Sequence, residues 1–309
     1  MPRAVDADTT VSVIISTRNR SKSLSRALAA LAKQTHPPIE TIVIDNASED
    51  DTLQMVQREF ADVRVIAANG NQGFARSINA GVAQARGDVV VLLPDDVLAE
   101  PDYIEELLGA LSATGAGIAG GLLLEWPDTS RINYAGATLS RILKLRFERR
   151  HLPPSDAPQP VTFVPGGNMA LRRETFGRLG GFDEDYSSFF EDVDLCARAL
   201  SAGERLVLAP RARAYHITHP TAATPYRAYY DRRNLALFYF KNARPLVLAG
   251  FLCYHVAIGL PRDIFWAVRQ RDAGIVRAVL RGHGWWVANL GFLLRKRRAR
   301  AAKAAAGLI

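Results

Sequence analysis

The chain of 309 residues is long enough for one large domain, or for one domain with an appended region. Its hydrophobic fraction of 48% and charged fraction of 23% are those of a globular protein, which excludes a disordered or fibrous chain. The only two cysteines, Cys196 and Cys253, have no CxxC partner, so we expect neither a disulfide framework nor a zinc finger. We expect the protein to reside in a reducing compartment.

The net charge of +8 is concentrated near the C-terminus. Residues 241–309 contain 13 Lys and Arg but only 2 Asp and Glu, so residues 1–240 carry a net charge of −3. The basic balance therefore describes the tail and not the body of the protein. The N-terminus has no long apolar core of the kind found in secretory leaders, and we predict a cytoplasmic protein.

Residues 11–125 alternate short apolar runs with amphipathic segments. This rhythm predicts a mostly parallel sheet covered by helices on both faces. We predict strands at 11–16, 40–45, 63–68 and 88–94, and helices at 21–34, after Ser48, at 74–85 and from Pro101 onward.

Residues 126–160 have mixed periodicity and many prolines, which predicts an irregular excursion. Order returns with a helix at 173–179, which we expect to end at Gly180 and Gly181. A second helix follows in "FFEDVDLCARAL" (189–200), and a strand at 205–210 continues toward His216.

Polar residues follow each of the first four predicted strands. Any one of them is typical of a turn or a helix cap. Together they predict a polar ligand site, because ligands of parallel α/β sheets bind beyond the carboxyl ends of the strands. The absence of GxGxxG after the first strand and of GxxxxGK[ST] anywhere argues against dinucleotide binding of the usual kind and against a phosphate-binding loop. The residues that follow the four predicted strands are Thr17, Arg18, Asn19, Asp45, Asn46, Ser48, Asn69, Asn71, Gly73, Asp95 and Asp96.

Two acidic clusters are the strongest chemical signals. Asp95 and Asp96 end a strand, where a divalent cation would explain them; helix capping is the alternative. Glu191, Asp192 and Asp194 begin a helix, and three acids exceed what the helix dipole requires, so one could act as a general base. We expect Asp194 to pair with Arg198 one turn later. His216 is either a structural histidine or, with Asp96, part of a mixed oxygen and nitrogen metal site.

Several segments carry a resemblance to a known family. "VSVIISTRNR", "ETIVIDNASEDDT", "NQGFARSINAGVAQARGDVVVLLPDD", "FVPGGNMALRRETFGRLGGFDEDYSSFFEDVDLCARALSAGERL" and "AYH" occur in that order. They resemble the family 2 inverting glycosyltransferases, particularly the bacterial rhamnosyltransferase-like members, over residues 11–235. The resemblance implies an α/β fold of the GT-A type, with a mostly parallel central sheet. We accordingly predict a nucleotide-sugar-binding catalytic domain at 1–224 and a helical, basic C-terminal region at 225–309.

The resemblance also implies roles for individual residues. Asp192 resembles the catalytic base, with Glu191 as the less favoured choice, and Asp45 resembles the acid that recognises the base of the nucleotide. Asp96 and His216 resemble the ligands of a divalent metal, Mg²⁺ or Mn²⁺. Pro94 departs from the acid or asparagine of many relatives, so Asp95 could replace a contact there. The residues implied to lie around the donor are Thr17, Arg18, Asn19, Asp45, Asn71, Gly73 and Asp95.

The implied reaction is inverting transfer of a sugar from a dTDP- or UDP-linked donor to a hydroxyl of a glycan or polyprenyl-linked acceptor, in cell-envelope polysaccharide synthesis. Two alternatives remain at this point. One is a sugar-phosphate nucleotidyltransferase on a similar sheet. The other is a catalytically inactive relative that binds a glycan or a lipid. No nucleic-acid-binding module is recognisable, so nucleic acid is not an expected partner.

The C-terminal region is apolar and basic at once. The runs 245–260 and 283–294 are shorter than the roughly 20 residues that a membrane span requires. With Trp266, Trp285, Trp286 and the basic end of the chain they predict an element at the inner membrane surface. A helical cap or a homo-oligomer interface is the alternative. We interpret Arg232, Arg233 and Asn234 as part of a solvated helix face. The alternative is that they reach the rim of the active site.

Overall fold

The computed structural model describes residue 6 and residues 8–149, 151–217 and 224–305. In its N-terminal part, short apolar strands alternate with amphipathic helices, as the sequence predicts. The strands are β1 (Val11–Thr17), β2 (Glu40–Asp45), β3 (Arg64–Ala67) and β4 (Val89–Pro94), and the helices are α1 (Ser21–Leu31), α2 (Thr52–Glu59) and α3 (Phe74–Gln84).

The chain then continues through shorter elements. Pro101 precedes its helix by two residues and does not occupy the first helical position, so that prediction is wrong in detail. The elements are β5 (Val97–Ala99), α4 (Tyr103–Thr114), β6 (Ile118–Glu125), β7 (Ile132–Tyr134), β8 (Ala137–Leu139), β9 (Leu145–Phe147), β10 (Gln159–Val161), β11 (Met169–Arg172), α5 (Arg173–Leu179), a 3-10 turn (Glu184–Tyr186), α6 (Glu191–Ser201) and β12 (Leu206–His216).

Ten of the described strands form one mixed sheet in the order β10-β12-β6-β11-β4-β1-β2-β3, with β5 on β12 and β7 on β6. Strands β1–β4, β6 and β12 run one way, and β5, β7, β10 and β11 run the other. In the parallel part Thr17 lies opposite Asp45, and Ser16 opposite Pro94. The ends of β1, β2 and β4 therefore meet at one edge, where the sequence places its polar residues.

The core explains why these segments fold as they do. Strands β1 and β4 are buried on both faces, which suits their unbroken runs of Val, Ile and Leu. On α1 the buried apolar residues are the predicted face, including Leu24, Leu28 and Leu31. Each such leucine contributes roughly 1.5–3 kcal/mol on burial, so one helix face fixes how α1 covers the sheet.

The C-terminal region is helical, as predicted. It comprises α7 (Pro225–Asn242), α8 (Pro245–Arg269), α9 (Ala273–Ala288) and α10 (Leu290–Ala305). Helix α8 continues through Pro261, which has no backbone N–H to donate. A π turn at His255–Gly259, just before this proline, alters the backbone hydrogen bonding there. The apolar run at 245–260 is thus part of a longer helix of 25 residues. By length and composition alone, α8 is the one helix among the described residues that could cross a membrane.

Candidate active site

The turns after β1 and β2 hold each other at the sheet edge. The Asp45 carboxylate is buried and accepts hydrogen bonds from the backbone amide (3.2 Å) and the hydroxyl of Ser48. Asn19 has a left-handed φ of 54°; its amide donates to the Ser48 hydroxyl (2.9 Å), and its side chain accepts from the Glu49 amide (2.7 Å). Arg18 extends from this group and pairs with Glu49 at the surface (3.1 Å). The structure therefore brings Arg18, Asn19 and Asp45 together.

Asn71 and Gly73 belong to the turn before α3. The Asn71 side chain accepts from the Gly73 amide (3.1 Å), and Gly73 has a φ of 78°. A β-carbon at Gly73 would lie 2.6 Å from the carbonyl oxygen of Ser187, so only glycine allows this approach. The turn thereby joins the sheet edge to the segment that leads into Glu191 and Asp192.

Asp95 and Asp96 lie at the end of β4, both buried. The Thr17 hydroxyl donates to Asp95 (2.7 Å), which links β1 to β4. Burial raises the pKa of Asp95 to about 6 and the negative charge of Asp96 adds to the rise, whereas the Thr17 hydrogen bond and the charge of Arg20 oppose it. Strand β5 follows directly, so neither acid caps a helix, and the capping alternative is wrong.

Asp96 faces two basic side chains. His216 Nε2 lies 3.4 Å from one carboxylate oxygen, and a guanidinium nitrogen of Arg20 lies 3.9 Å from the other. Strand β5 pairs with β12, and its register sets Val97 opposite His216, which explains why two residues 120 positions apart meet. The sequence did not single out Arg20, whose only signal is its place three residues after β1.

The donor set at Asp96 and His216 fits a divalent cation. His216 Nε2 faces the Asp96 carboxylate, and a carboxylate opposite an imidazole suits Mn²⁺ or Mg²⁺. The other ring nitrogen, Nδ1, is buried and has no hydrogen-bond partner among the described residues. Within the part of the chain that the structure describes, no three His, Cys, Asp or Glu side chains converge on one point. Mg²⁺ sites commonly use one or two carboxylates and complete their coordination with water and substrate oxygens.

The turn before α6 is strained. Phe189 and Phe190 have φ values of 65° and 72°, a region that costs bulky residues of the order of 1–3 kcal/mol each. Asn234 of α7 is fully buried and donates to the carbonyl oxygens of Tyr186, Ser188 and Phe189 at 2.7–2.9 Å. The Asn234 side chain thus holds the turn that positions the acids at the start of α6.

The interpretation of this part of α7 as a solvated face was wrong. Asn234 is buried, Arg233 donates to the Asp185 carbonyl (2.6 Å), and Arg232 pairs with Asp263 of α8 (3.3 Å). The alternative, that these residues reach the rim of the site, fits Arg232, which lines the cavity beside Asp192.

Both oxygens of the Asp192 carboxylate accept hydrogen bonds from backbone amides. One of its oxygens accepts from the Gly166 amide (3.1 Å) and the other from the Val193 amide (2.7 Å). A β-carbon at Gly166 would lie 3.1 Å from that of Asp192, and one at Gly167 would lie 2.6 Å from the Pro94 ring. The glycine pair therefore lies between Asp192 and the end of β4, where Asp95 and Asp96 begin.

Burial acts on both carboxyl groups at the start of α6. It raises the pKa of Asp192 above its usual range, although the amides of Gly166 and Val193 favour the ionised form. It raises the pKa of Glu191 well above its usual range, and the charge of Asp192 adds to that rise. Burial thus favours the protonated form of both groups, and the amide hydrogen bonds from Gly166 and Val193 oppose it at Asp192.

A cavity of about 680 Å³ opens beside Glu191 and Asp192. One wall consists of aromatic rings, among them Phe163, Phe189 and Phe190. The facing wall belongs to α7 and α8, which supply charged side chains. These are Arg227, Asp231, Arg232, Arg262 and Asp263.

Comparison with known proteins identifies the fold and the family. The sequence model of glycosyl transferase family 2 matches residues 12–180. The chain belongs to this family. A second model, described as the N-terminal domain of galactosyltransferase, matches residues 149–220. Membership of family 2 confirms the predicted family and enzyme class, and it decides for glycosyl transfer over nucleotidyl transfer.

Among the relatives is the N-acetylglucosaminyl-diphospho-decaprenol L-rhamnosyltransferase of Mycobacterium tuberculosis. It is 30% identical over 241 residues, which are 69% of this chain and 78% of the relative. The O-antigen chain rhamnosyltransferase WbaN of Salmonella anatum is 26% identical over 210 residues, 65% of this chain and 64% of WbaN.

Solved structures of other glycosyltransferases confirm the GT-A-type fold. GalNAc-T7, crystallised with UDP, GalNAc and Mn²⁺, superposes with a TM-score of 0.61 at 20% identity, over 75% of this chain and half of that one. Residues 1–349 of TarS from S. aureus, in complex with UDP, superpose with a TM-score of 0.57 at 20% identity, over 94% of this chain and 87% of that one.

Proposed function

We propose that this family 2 glycosyltransferase is metal-dependent and inverting, with Asp192 as general base. The observation that carries the proposal is the position of Asp192. It borders the cavity on one side, and on the other the Gly166–Gly167 pair separates it from the end of β4. In a single displacement the base must lie between the donor sugar and the acceptor hydroxyl, and this position lies between the sheet edge and an open cavity.

On the donor side, the sheet edge holds the nucleotide. Both oxygens of the Asp45 carboxylate accept hydrogen bonds from Ser48, and the Ser48 hydroxyl accepts one from the Asn19 amide. This corner therefore offers oxygen acceptors to a nucleotide base. Thr17, Arg18, Asn71, Gly73 and Asp95 line the same edge. A dTDP- or UDP-linked sugar fits this set, and the UDP complexes of two structural neighbours support it.

In the reaction, Asp192 takes the proton of an acceptor hydroxyl. The freed electron pair of that oxygen forms a bond to the anomeric carbon, and the bond from this carbon to the diphosphate oxygen breaks with its electrons on the leaving nucleoside diphosphate. Attack opposite the leaving group inverts the anomeric centre. A cation held by Asp96 and His216 would supply charge neutralisation at the diphosphate, and Arg20 adds a positive charge at the same place.

The acceptor occupies the cavity. Its aromatic wall suits the faces of sugar rings, and its charged wall suits a phosphate. The name of the mycobacterial relative specifies a diphospho-decaprenol acceptor, which supports a polyprenyl-linked glycan here and a role in cell-envelope polysaccharide synthesis. We place the enzyme in the cytoplasm, on the inner face of the membrane.

The proposed reaction is tested by incubating the protein with Mn²⁺, dTDP-L-rhamnose or UDP-sugars, and N-acetylglucosaminyl-diphospho-decaprenol. We expect a disaccharide whose new linkage, by NMR, has the anomeric configuration opposite to that of the donor. A product with the donor's configuration would exclude the inverting mechanism.

Replacing Asp96 with Asn should remove the effect of the metal on nucleotide binding. In the wild type we expect Mn²⁺ to tighten UDP binding, as measured by titration calorimetry. Changes around metal sites cost about 10–100-fold in affinity, so the loss of a ligand should cost at least about tenfold. Asp128→Asn, at an exposed turn acid, is the matched control and should leave binding unchanged. If Asp96→Asn kept the full Mn²⁺ effect, the metal assignment would fail.

The exposed apolar face of α8 supports membrane contact. Ile258, Phe265 and Val268 share one face at helical spacing, each more than half exposed, and the same region carries the chain's basic excess. We expect the double variant Phe265→Ser, Val268→Ser to lose binding to phosphatidylglycerol vesicles about tenfold or more in a sedimentation assay, since each buried apolar side chain contributes roughly 1.5–3 kcal/mol.

The matched control for that experiment is Ile142→Ser. Ile142 is also more than half exposed but lies in the excursion before β9. Equal vesicle binding by the double variant and the wild type would favour the other interpretation, in which α8 packs against a second copy of the chain.

A further inference from the structure

Glu191 is a buried acid with an unused oxygen. Its residue surface is 6% exposed, and it lines the cavity beside Asp192. Its Oε2 atom is shielded from solvent and has no hydrogen-bond partner among the described residues. Leaving a buried carboxylate oxygen unpaired is costly, so either the group is neutral or a ligand satisfies it.

The two neighbouring acids differ in what stabilises their charge. Asp192 accepts two backbone N–H bonds, which favour its ionised form. Glu191 has only the hydrogen bond from its own backbone amide to favour its ionised form, and burial and the neighbouring charge of Asp192 outweigh it. When two close acids differ in this way, the less stabilised one keeps the proton, and the pair divides into an acid and a base.

The other charged groups around the cavity do not change this balance. On α7, Arg227 pairs with Asp231 (3.5 Å); between α7 and α8, Arg232 and Arg262 both pair with Asp263 (3.3 and 3.5 Å). Lys144 and Arg149 reach the cavity from the excursion. Tyr226 lies near Glu191, and its hydroxyl bonds Ser188 (2.9 Å). In the described part of the chain, no cation lies within ion-pair distance of Glu191.

We propose that Glu191 is a neutral acid in the working enzyme, and that its O–H donates a hydrogen bond to an oxygen of the acceptor sugar beside the hydroxyl that Asp192 deprotonates. This inference rests on the proposed function for the identity of the ligand, but not for the protonation. Glu191 is then an acceptor-binding residue and not a second base. It orients the sugar in the cavity so that one hydroxyl points to Asp192.

The protonation is tested without any transfer reaction, by infrared difference spectroscopy of the full chain at pH 7. Subtracting the spectrum of Glu191→Gln should reveal the carbonyl stretch of a protonated carboxyl group. The control Glu59→Gln, at a solvent-accessible acid on α2, should remove only carboxylate bands. If Glu191→Gln also removed only carboxylate bands, the proposal would be overturned, whatever the outcome for the reaction.

The contact with the acceptor is tested by kinetics with dTDP-L-rhamnose and N-acetylglucosaminyl-diphospho-decaprenol. Glutamine keeps a donor at this position, so we expect Glu191→Gln to retain kcat/KM for the acceptor within about threefold at pH 7, whereas Glu191→Ala loses about tenfold or more, chiefly in KM. In the wild type, kcat/KM should fall as the pH rises through the pKa of Glu191, and the Gln variant should lack this fall. Loss of kcat by Glu191→Gln as deep as in Asp192→Asn would show that Glu191 is a base.

Discussion

Replacing Asp192 with Asn should abolish sugar transfer and leave nucleotide binding nearly intact. The amide has the shape of the carboxylate but cannot accept the proton of an acceptor hydroxyl. General base catalysis contributes about 10²–10⁴-fold, so kcat should fall by at least that range. The proposed donor rim lies at the ends of β1, β2 and β4, none of which contacts the Asp192 carboxylate through a hydrogen bond. Calorimetric titration with UDP and Mn²⁺ should therefore give a Kd near that of the wild type.

Asp231→Asn is the matched control for that change. Asp231 lines the same cavity and pairs with Arg227, but it lies on α7, away from the glycine pair. We expect its effect on kcat to be small. A similar loss of kcat in both variants, or a loss of UDP binding by Asp192→Asn equal to its loss of transfer, would mean that Asp192 supports the fold of the site and not the chemistry.

The pH dependence of the wild type follows from the same residue. A base must be ionised, so activity is lost as the pH falls through its pKa. Burial raises the pKa of Asp192 above the value of about 3.9 found in model peptides, and the acid limb of kcat/KM should lie correspondingly higher. The acid limb belongs to Asp192, while the alkaline fall proposed for Glu191 lies on the opposite side of the optimum.

The sheet edge proposed to bind the donor could largely be predicted from the sequence, because it depends on local patterns. Unbroken apolar runs locate β1, β2 and β4, and the register of parallel strands brings the residues after them together. The pairing of Asp194 with Arg198 also follows from helical spacing alone, and the structure confirms it at 2.7 Å.

The cavity proposed to bind the acceptor could not be predicted, because it depends on contacts between distant segments. Asn234 holds a turn more than forty residues earlier in the chain, and nothing in its neighbourhood marks it for that role. The cavity exists only where the excursion, the start of α6 and the helices α7 and α8 meet. Strand β5 has three residues, too few for a periodic signal, yet its pairing with β12 brings His216 to Asp96.

The second large effect concerns stability, and Asp194 is the residue involved. It is fully buried and accepts from Arg198 (2.7 Å), Lys241 (2.8 Å) and Asn242 (2.9 Å). Burial opposes its ionisation, but the charges of Arg198 and Lys241 outweigh that and hold the pKa of Asp194 far below its usual range. Removing the carboxylate would leave two largely buried cations without this partner, a change that costs about 3–5 kcal/mol.

We therefore expect Asp194→Asn to unfold at a clearly lower urea concentration than the wild type, with a loss of about 3–5 kcal/mol in the free energy of unfolding. Glu184→Gln, which breaks the exposed pair with Arg76 (2.9 Å), is the control and should cost no more than about 1 kcal/mol. Equal midpoints for Asp194→Asn and the wild type would show that the buried charge contributes nothing net.

The pH dependence of this difference separates charge from packing. The pKa of Asp194 is lower in the folded than in the unfolded chain, so its stabilisation is complete above the unfolded value of about 3.9 and is lost as the pH falls below it. The gap between wild type and Asp194→Asn should accordingly be constant near neutral pH and narrow in acid. Because Lys241 and Asn242 belong to α7, the Asp194 carboxylate also links α7 to α6. Helix α7 is the one whose Asn234 holds the turn before α6. Its loss should therefore reduce acceptor turnover even at temperatures where the variant remains folded.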